Sequence, residues 1–165
     1  INYENLRYEG FGPNNIAFII ETLTDNKNRS ASSIRTVLQK NGGRLGESGS
    51  TAHLFYTCGV IHIDKKKCSD DEIFEIATNS GAKDCFHLEN THEIVSEKED
   101  FYKVKSVFEK KLDNLEYSGI EWRPLVYLDL NKEQNEKIVE ILVSLEELDD
   151  VQDIYTNANL GNAKL

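Results

Sequence analysis

The sequence predicts an α+β protein built from two ferredoxin-like βαββαβ units, and three observations carry that prediction. Short apolar runs rich in β-branched residues alternate with stretches whose apolar positions recur at three and four. Capping residues, glycine pairs or polar turns separate these elements. The resulting order is β-α-β four times over, which is two such units in sequence composition.

The run Ile16-Ala-Phe-Ile-Ile20, extended by Thr22 and Leu23, fits a buried strand, and Asp25 to Arg29 breaks it. Ser30 can cap a helix carrying Ala31, Ile34 and Leu38, with Gly42-Gly43 as its stop. The stretch from Asn41 to Ser50 holds four glycines and reads as a loop. Strand character returns from Ala52 to Asp64, as two strands or one bent strand across Thr57-Cys-Gly59.

Ser69 to Glu72 forms a capping box with carboxylates suited to the positive end of a helix. Ile73, Phe74, Ile76 and Ala77 continue that helix and Gly81 ends it. Strands are expected at 85–89 and 93–97, followed by an amphipathic helix through Phe101, Val104, Phe108, Leu112 and Leu115 to Tyr117. Gly119 to Leu130 is strand-like, and Pro124, which has no amide proton to donate, should divide it. Asn131 with Gln134 resembles a cap for a helix bearing Ile138, Ile141, Leu142, Leu145 and Leu148. Val151 to Thr156 is the last strand, and Leu160 to Leu165 reads as a loose tail. Periodicity leaves two parses open: consecutive units breaking near residue 91, or one unit of about 59–123 nested within the other.

Composition narrows the function classes. With 39% hydrophobic and 29% charged residues the chain has a globular composition, and no apolar run approaches the roughly 20 residues of a membrane span. The absence of Met and the start at Ile1 suggest a piece of a longer protein. Three cysteines at positions 58, 68 and 85 match neither a disulfide framework nor a metal knuckle, which points to a reducing compartment. The four histidines, at 53, 62, 87 and 92, lack any zinc-type spacing and read as structural, so no metal or cofactor is expected. No catalytic motif is present, and an enzyme is not expected.

Charge placement matters more than its total. Residues 1–64 carry six basic and six acidic residues, leaving the remainder with 13 of the chain's 19 basic and 23 of its 29 acidic ones, the whole net charge of -10. An acidic surface repels a phosphate backbone, so any nucleic-acid contact must use the first third of the chain. There Lys27, Arg29, Arg35, Lys40 and Arg44 lie on two loops and the helix between them, a candidate phosphate-contacting surface to which glycine amides could add donors. The plain alternative is a solvated helix face with ordinary turns. Phe55, Tyr56, Trp122 and Tyr127 match no base-stacking signature and are assigned to cores or to the contact between units.

The segments Tyr8-Glu-Gly-Phe-Gly-Pro13, Thr24-Asp-Asn-Lys-Asn-Arg29 and Lys40-Asn-Gly-Gly-Arg-Leu-Gly46, with Gly49-Ser50, Gly59-Val-Ile61 and Asp149-Asp-Val-Gln152, resemble the YebC family. That family includes probable transcriptional regulators of bacteria and a mitochondrial translational activator of cytochrome oxidase. The resemblance implies a basic helical N-terminal domain followed by two α+β domains, one inserted in the other, and this chain looks like the last two. It selects the nested parse, with residues 1–58 and 124–165 as one domain and 59–123 as the insert. It marks Gly10, Gly12, Pro13, Asn26, Asn28, Gly42, Gly43, Gly46 and Gly49 as motif-loop positions.

The implied partners are nucleic acid, either DNA or ribosomal RNA, and the ribosome, with no membrane and no small-molecule substrate. The implied location is cytoplasmic in a bacterium or the mitochondrial matrix in a eukaryote. The second hypothesis is a protein-interaction module whose acidic part docks a basic partner such as a ribosomal protein. One departure is visible: Asn14-Asn15 stands where the family has two glycines, and Asn tolerates left-handed backbone angles better than other side chains do.

Overall fold

The computed structural model describes residues 2–161, so the last four residues of the expected tail lie outside the described residues. The elements in chain order are β1 (Glu4–Phe11), β2 (Ala17–Thr24), α1 (Lys27–Lys40), β3 (Arg44–Leu45), β4 (Phe55–Asp64), α2 (Asp70–Ser80), β5 (Asp84–His87), β6 (Thr91–Glu97), α3 (Phe101–Lys111), β7 (Tyr117–Pro124), α4 (Lys132–Glu146) and β8 (Val151–Thr156). The chain is α+β, as its alternating periodicities predict, with two four-stranded sheets among the described residues. It divides into two compact units, one comprising the residues up to Tyr56 and from Arg123 onward, the other Thr57–Trp122.

In the first unit the sheet order is β3-β1-β2-β8. The strand β1 is absent from the sequence-based reading, because only Leu6 and Tyr8 alternate with the polar Asn5, Arg7 and Glu9 before Gly10 and Gly12 interrupt the pattern. It nonetheless pairs with β2 antiparallel along its full length, from Glu4↔Thr24 to Phe11↔Ala17. One face of this sheet packs against α1 and α4 around Ile16, Phe18, Ile20, Ile34, Leu38, Ile138, Ile141 and Leu145. Burying each such side chain contributes about 1.5–3 kcal/mol before chain entropy is counted.

The second unit has the order β5-β6-β4-β7, which with its βαββαβ connectivity is the ferredoxin-like arrangement. Its core joins Ile61, Ile63, Ile73, Ala77, Ile94, Phe101, Val104 and Phe108. Ser69 caps α2 by accepting from the Glu72 amide, and Gly81 ends it at φ 89°, as the sequence predicts. Residues 55–64 form one continuous strand. The helix α3 stops at Lys111, short of the expected Tyr117, yet Leu112 and Leu115 still pack against the core. Pro124 ends β7 instead of dividing a longer strand. Beyond it the chain makes a single parallel bridge, Leu128↔Ala158.

Two local details differ from or sharpen the sequence-based reading. The helix α1 starts earlier than Ser30: Asn26 is the N-cap, its side chain accepting from the Arg29 amide at 3.0 Å. Ser30 sits buried in the second turn and uses its hydroxyl elsewhere. In the turn after Pro13, Asn14 and Asn15 both hold positive φ, 61° and 56°, so these asparagines do adopt the backbone a glycine pair would favour.

Candidate nucleic-acid interface

The helix α1, KNRSASSIRTVLQK, carries four basic residues and no acidic one. It buries Ser30, Ile34 and Leu38 against the sheet; Arg35 and Lys40 lie off that stripe, and Lys27, in line with Ile34 and Leu38, is exposed because it opens the helix. At a rise of 1.5 Å per residue, the step from Lys27 to Lys40 spans about 20 Å, comparable to several phosphate spacings along a nucleic-acid strand. Arg44 follows on β3 with its guanidinium 4.5 Å from the centre of the Phe11 ring, a stacking contact that fixes the stem and leaves the charge unneutralised. Among the described residues none of Lys27, Arg35, Lys40 and Arg44 forms a salt bridge.

Arg29 belongs to a different structure. Its guanidinium donates to Asp25 Oδ1 at 2.7 Å and to both carboxylate oxygens of Asp150, Oδ1 at 2.9 Å and Oδ2 at 3.1 Å. The Ser30 hydroxyl donates to the same Asp150 at 2.6 Å. These contacts hold the Asp150 carboxyl below its ordinary range, Arg29 first and Ser30 second among the causes. The sequence groups Arg29 with the phosphate-contacting cations; the structure gives its charge two carboxylates and makes it a clasp between the start of α1 and the turn before β8.

The glycine loop is likewise engaged internally. Glu9 on β1 is buried, and its Oε1 accepts from the amides of Thr51 at 2.9 Å and Ala52 at 2.7 Å and from the Thr51 hydroxyl at 3.1 Å. Its Oε2 accepts from the Gly49 amide at 2.8 Å. Burial alone would raise the pKa, but these donors outweigh it and lower it to about 2. The loop is thus a nest for an anion, and the anion is the protein's own carboxylate.

The other glycine amides are also satisfied within the fold: Gly42 by Gln39, Gly43 by Leu38 and Gly46 by Glu9 carbonyls. The expectation that these amides add phosphate donors therefore finds them occupied. What the glycines supply instead is room. A Cβ on Gly43 would overlap the Phe11 carbonyl oxygen, and one on Gly10 would stand 2.7 Å from Leu38 Cδ1. On Gly12 it would meet the Phe18 ring at 2.8 Å. Pro13 opens the short turn that carries Asn14, and Asn28 is exposed on the first turn of α1.

A family model described as the second and third domain of TACO1/YebC matches residues 3–158. The chain belongs to this family. It is 50% identical over 161 residues to a probable transcriptional regulatory protein of Pelagibacter ubique, covering 98% of this chain and 67% of that protein. A probable transcriptional regulatory protein of Zymomonas mobilis is 42% identical, with 98% and 65% covered. The chain therefore spans about two thirds of the length of these TACO1/YebC relatives. The crystal structure of a conserved hypothetical protein from Aquifex aeolicus superimposes with a TM-score of 0.86 at 37% identity, over 94% of this chain and 65% of that one.

Placed on the fold, the quoted TACO1/YebC motifs fall within the first unit, except Gly59-Val-Ile61, which lies in the second. Tyr8 donates its hydroxyl to the Lys27 carbonyl at 3.0 Å, and the motif around Asp150 reaches Arg29 across 121 positions. Glu9 and Asp150 are the site-defining residues that sequence reasoning missed; each reads as one more surface acid until its donors, far along the chain, are known. Of the aromatics assigned to cores or contacts, Phe55 is buried, whereas Tyr56 and Tyr127 are 39% and 54% exposed.

Proposed function

We propose that this chain is the C-terminal part of a non-enzymatic regulator of gene expression that touches a nucleic-acid backbone, DNA or ribosomal RNA, through the exposed basic side chains along α1 and the turn into β3. The observation that carries the reading is an acid-free helix with Lys27, Arg35 and Lys40 exposed, continued by Arg44, none of them in a salt bridge among the described residues. The names of the two bacterial relatives support the regulatory role. The Arg29–Asp150 clasp ties the start of α1 to the turn before β8, and Glu9 ties the loop of Gly49 to Ala52 to β1, so the backbone that carries these residues is held at both places. Backbone contact of this kind positions a protein without reading sequence, so specificity would come from elsewhere in the full-length molecule.

Each phosphate contact contributes about 0.9 to the slope of log affinity against log salt on duplex DNA and about 0.7 on single strands. Replacing Lys27, Arg35, Lys40 and Arg44 with Gln should therefore flatten that slope by about 3–4 units and weaken binding at every sequence tested. Arg29→Gln should leave the slope unchanged while loosening the fold. An unaltered slope in the fourfold variant would refute the interface and favour docking of a basic protein partner, the reading that the acid surplus of residues 65–165 supports. Crosslinking from cells carrying the full-length protein separates the targets: ribosomal RNA indicates translation, and promoter DNA indicates transcription.

A further inference from the structure

Three side chains of the second unit, unconnected by any motif spacing, meet at one end of its sheet. His87 and His92 are directly paired across the β5–β6 hairpin, and Asp70 is the first residue of α2. His87 Nδ1 lies 2.8 Å from His92 Nδ1, and Asp70 Oδ1 lies 3.6 and 3.7 Å from the same two atoms. The circle through the three corners of that triangle, its radius the product of the sides over four times the area, has a radius of about 2.0 Å. Zinc bonds imidazole nitrogen at about 2.0–2.1 Å and carboxylate oxygen at about 2.0–2.2 Å.

We propose that Asp70, His87 and His92 form a Zn²⁺ site with its fourth position open to solvent. The triangle is the right size for three corners of a tetrahedron, with the ion slightly out of its plane. Two imidazoles and one carboxylate are a donor set that suits a borderline divalent ion better than calcium or magnesium.

The tautomers give independent support. His92 is fully buried, and its Nε2 lies 2.9 Å from the Cys68 carbonyl oxygen. A carbonyl only accepts, so Nε2 carries the proton and Nδ1 presents a lone pair to the cluster. A backbone carbonyl that orients a histidine in this way is the usual outer support of a metal ligand. Without metal, His87 Nδ1–H donates to that lone pair. On binding, His87 shifts its proton through solvent from Nδ1 to Nε2, and both rings ligate as neutral imidazoles with no net proton released. The side chains of His87 and Asp70 are 25% and 55% exposed, which leaves the ion a path in. Lys65 Nζ, 2.9 Å from Asp70 Oδ1, is the one cation in contact with the set among the described residues and opposes binding.

The test is titration of the untagged, chelator-treated chain with Zn²⁺ by calorimetry and with Co²⁺ by visible absorption. The expected result is one equivalent at micromolar or tighter affinity, with an intense tetrahedral Co²⁺ spectrum. His87→Gln sits on the exposed side of the pair, and its metal-free circular dichroism should match the parent. It should weaken Zn²⁺ by about 100-fold, Asp70→Asn should weaken it by about 10-fold, and Lys65→Met should tighten it several-fold. Millimolar binding, an octahedral Co²⁺ spectrum, or affinity unchanged in His87→Gln would each overturn the site and leave a hydrogen-bonded histidine pair.

Discussion

Replacing Glu9 with Gln tests the internal anion nest directly. Glutamine preserves the shape and keeps one oxygen, but its amide would point a donor at the Gly49 N–H, or, flipped, at the donors of Thr51 and Ala52. The carboxyl falls from an ordinary value of 4.5 to about 2 in the folded chain. At 1.36 kcal/mol per unit that difference is worth about 3 kcal/mol of stability to the ionised form. Because the folded value is the depressed one, this contribution is complete above pH 4.5 and is lost as the pH falls toward 2. The variant should therefore be about 3 kcal/mol less stable at pH 7, and the gap should close as both proteins are acidified. Residue-resolved amide exchange is the assay, since the chain has two units and one bulk melting curve mixes them. The amides of Gly49, Thr51 and Ala52 should lose protection first. A gap that stays constant between pH 7 and pH 3, or unchanged exchange at those amides, would refute the reasoning.

Two further substitutions address the motif turns. Gly43→Ala should cost about 2–4 kcal/mol, since the new methyl overlaps the Phe11 carbonyl oxygen and backbone must move; amide exchange within the first unit reads the loss. Asn15→Ala should cost about 1 kcal/mol at its φ of 56°, whereas Asn15→Gly should stay within about 0.5 kcal/mol of the parent, the easier backbone offset by greater unfolded-state freedom.

The helices were legible where local chemistry decides them. Ser69 and Asn131 cap α2 and α4 as their neighbours three residues on suggest, and Asn131 with Gln134 completes a reciprocal capping box. The start of α1 was misplaced because two residues within one turn can cap, and only tertiary context diverts Ser30 to Asp150. The strand β1 carries too short an alternation to read, two apolar residues before Gly10 and Gly12, and the burial of Glu9 on its other face depends on donors some forty positions later. The candidate interface was legible by residue type and not by pairing: nothing near Arg29 in sequence announces Asp150. The histidine pair is invisible for the same reason, since a five-residue hairpin spacing with an aspartate from a preceding helix fits no ligand pattern.

The first sheet is finished last. Its inner strand β2 waits for β8, which lies beyond the entire Thr57–Trp122 unit and beyond α4. During synthesis from the N-terminus, the intervening unit emerges whole and can condense while Phe18 to Thr22 still present an open hydrogen-bonding edge. A nascent chain halted before Val151 would hold a completed insert and a host missing its closing strand. Such a chain is exposed to edge-to-edge association during that interval, and the arrival of the last strand ends the exposure.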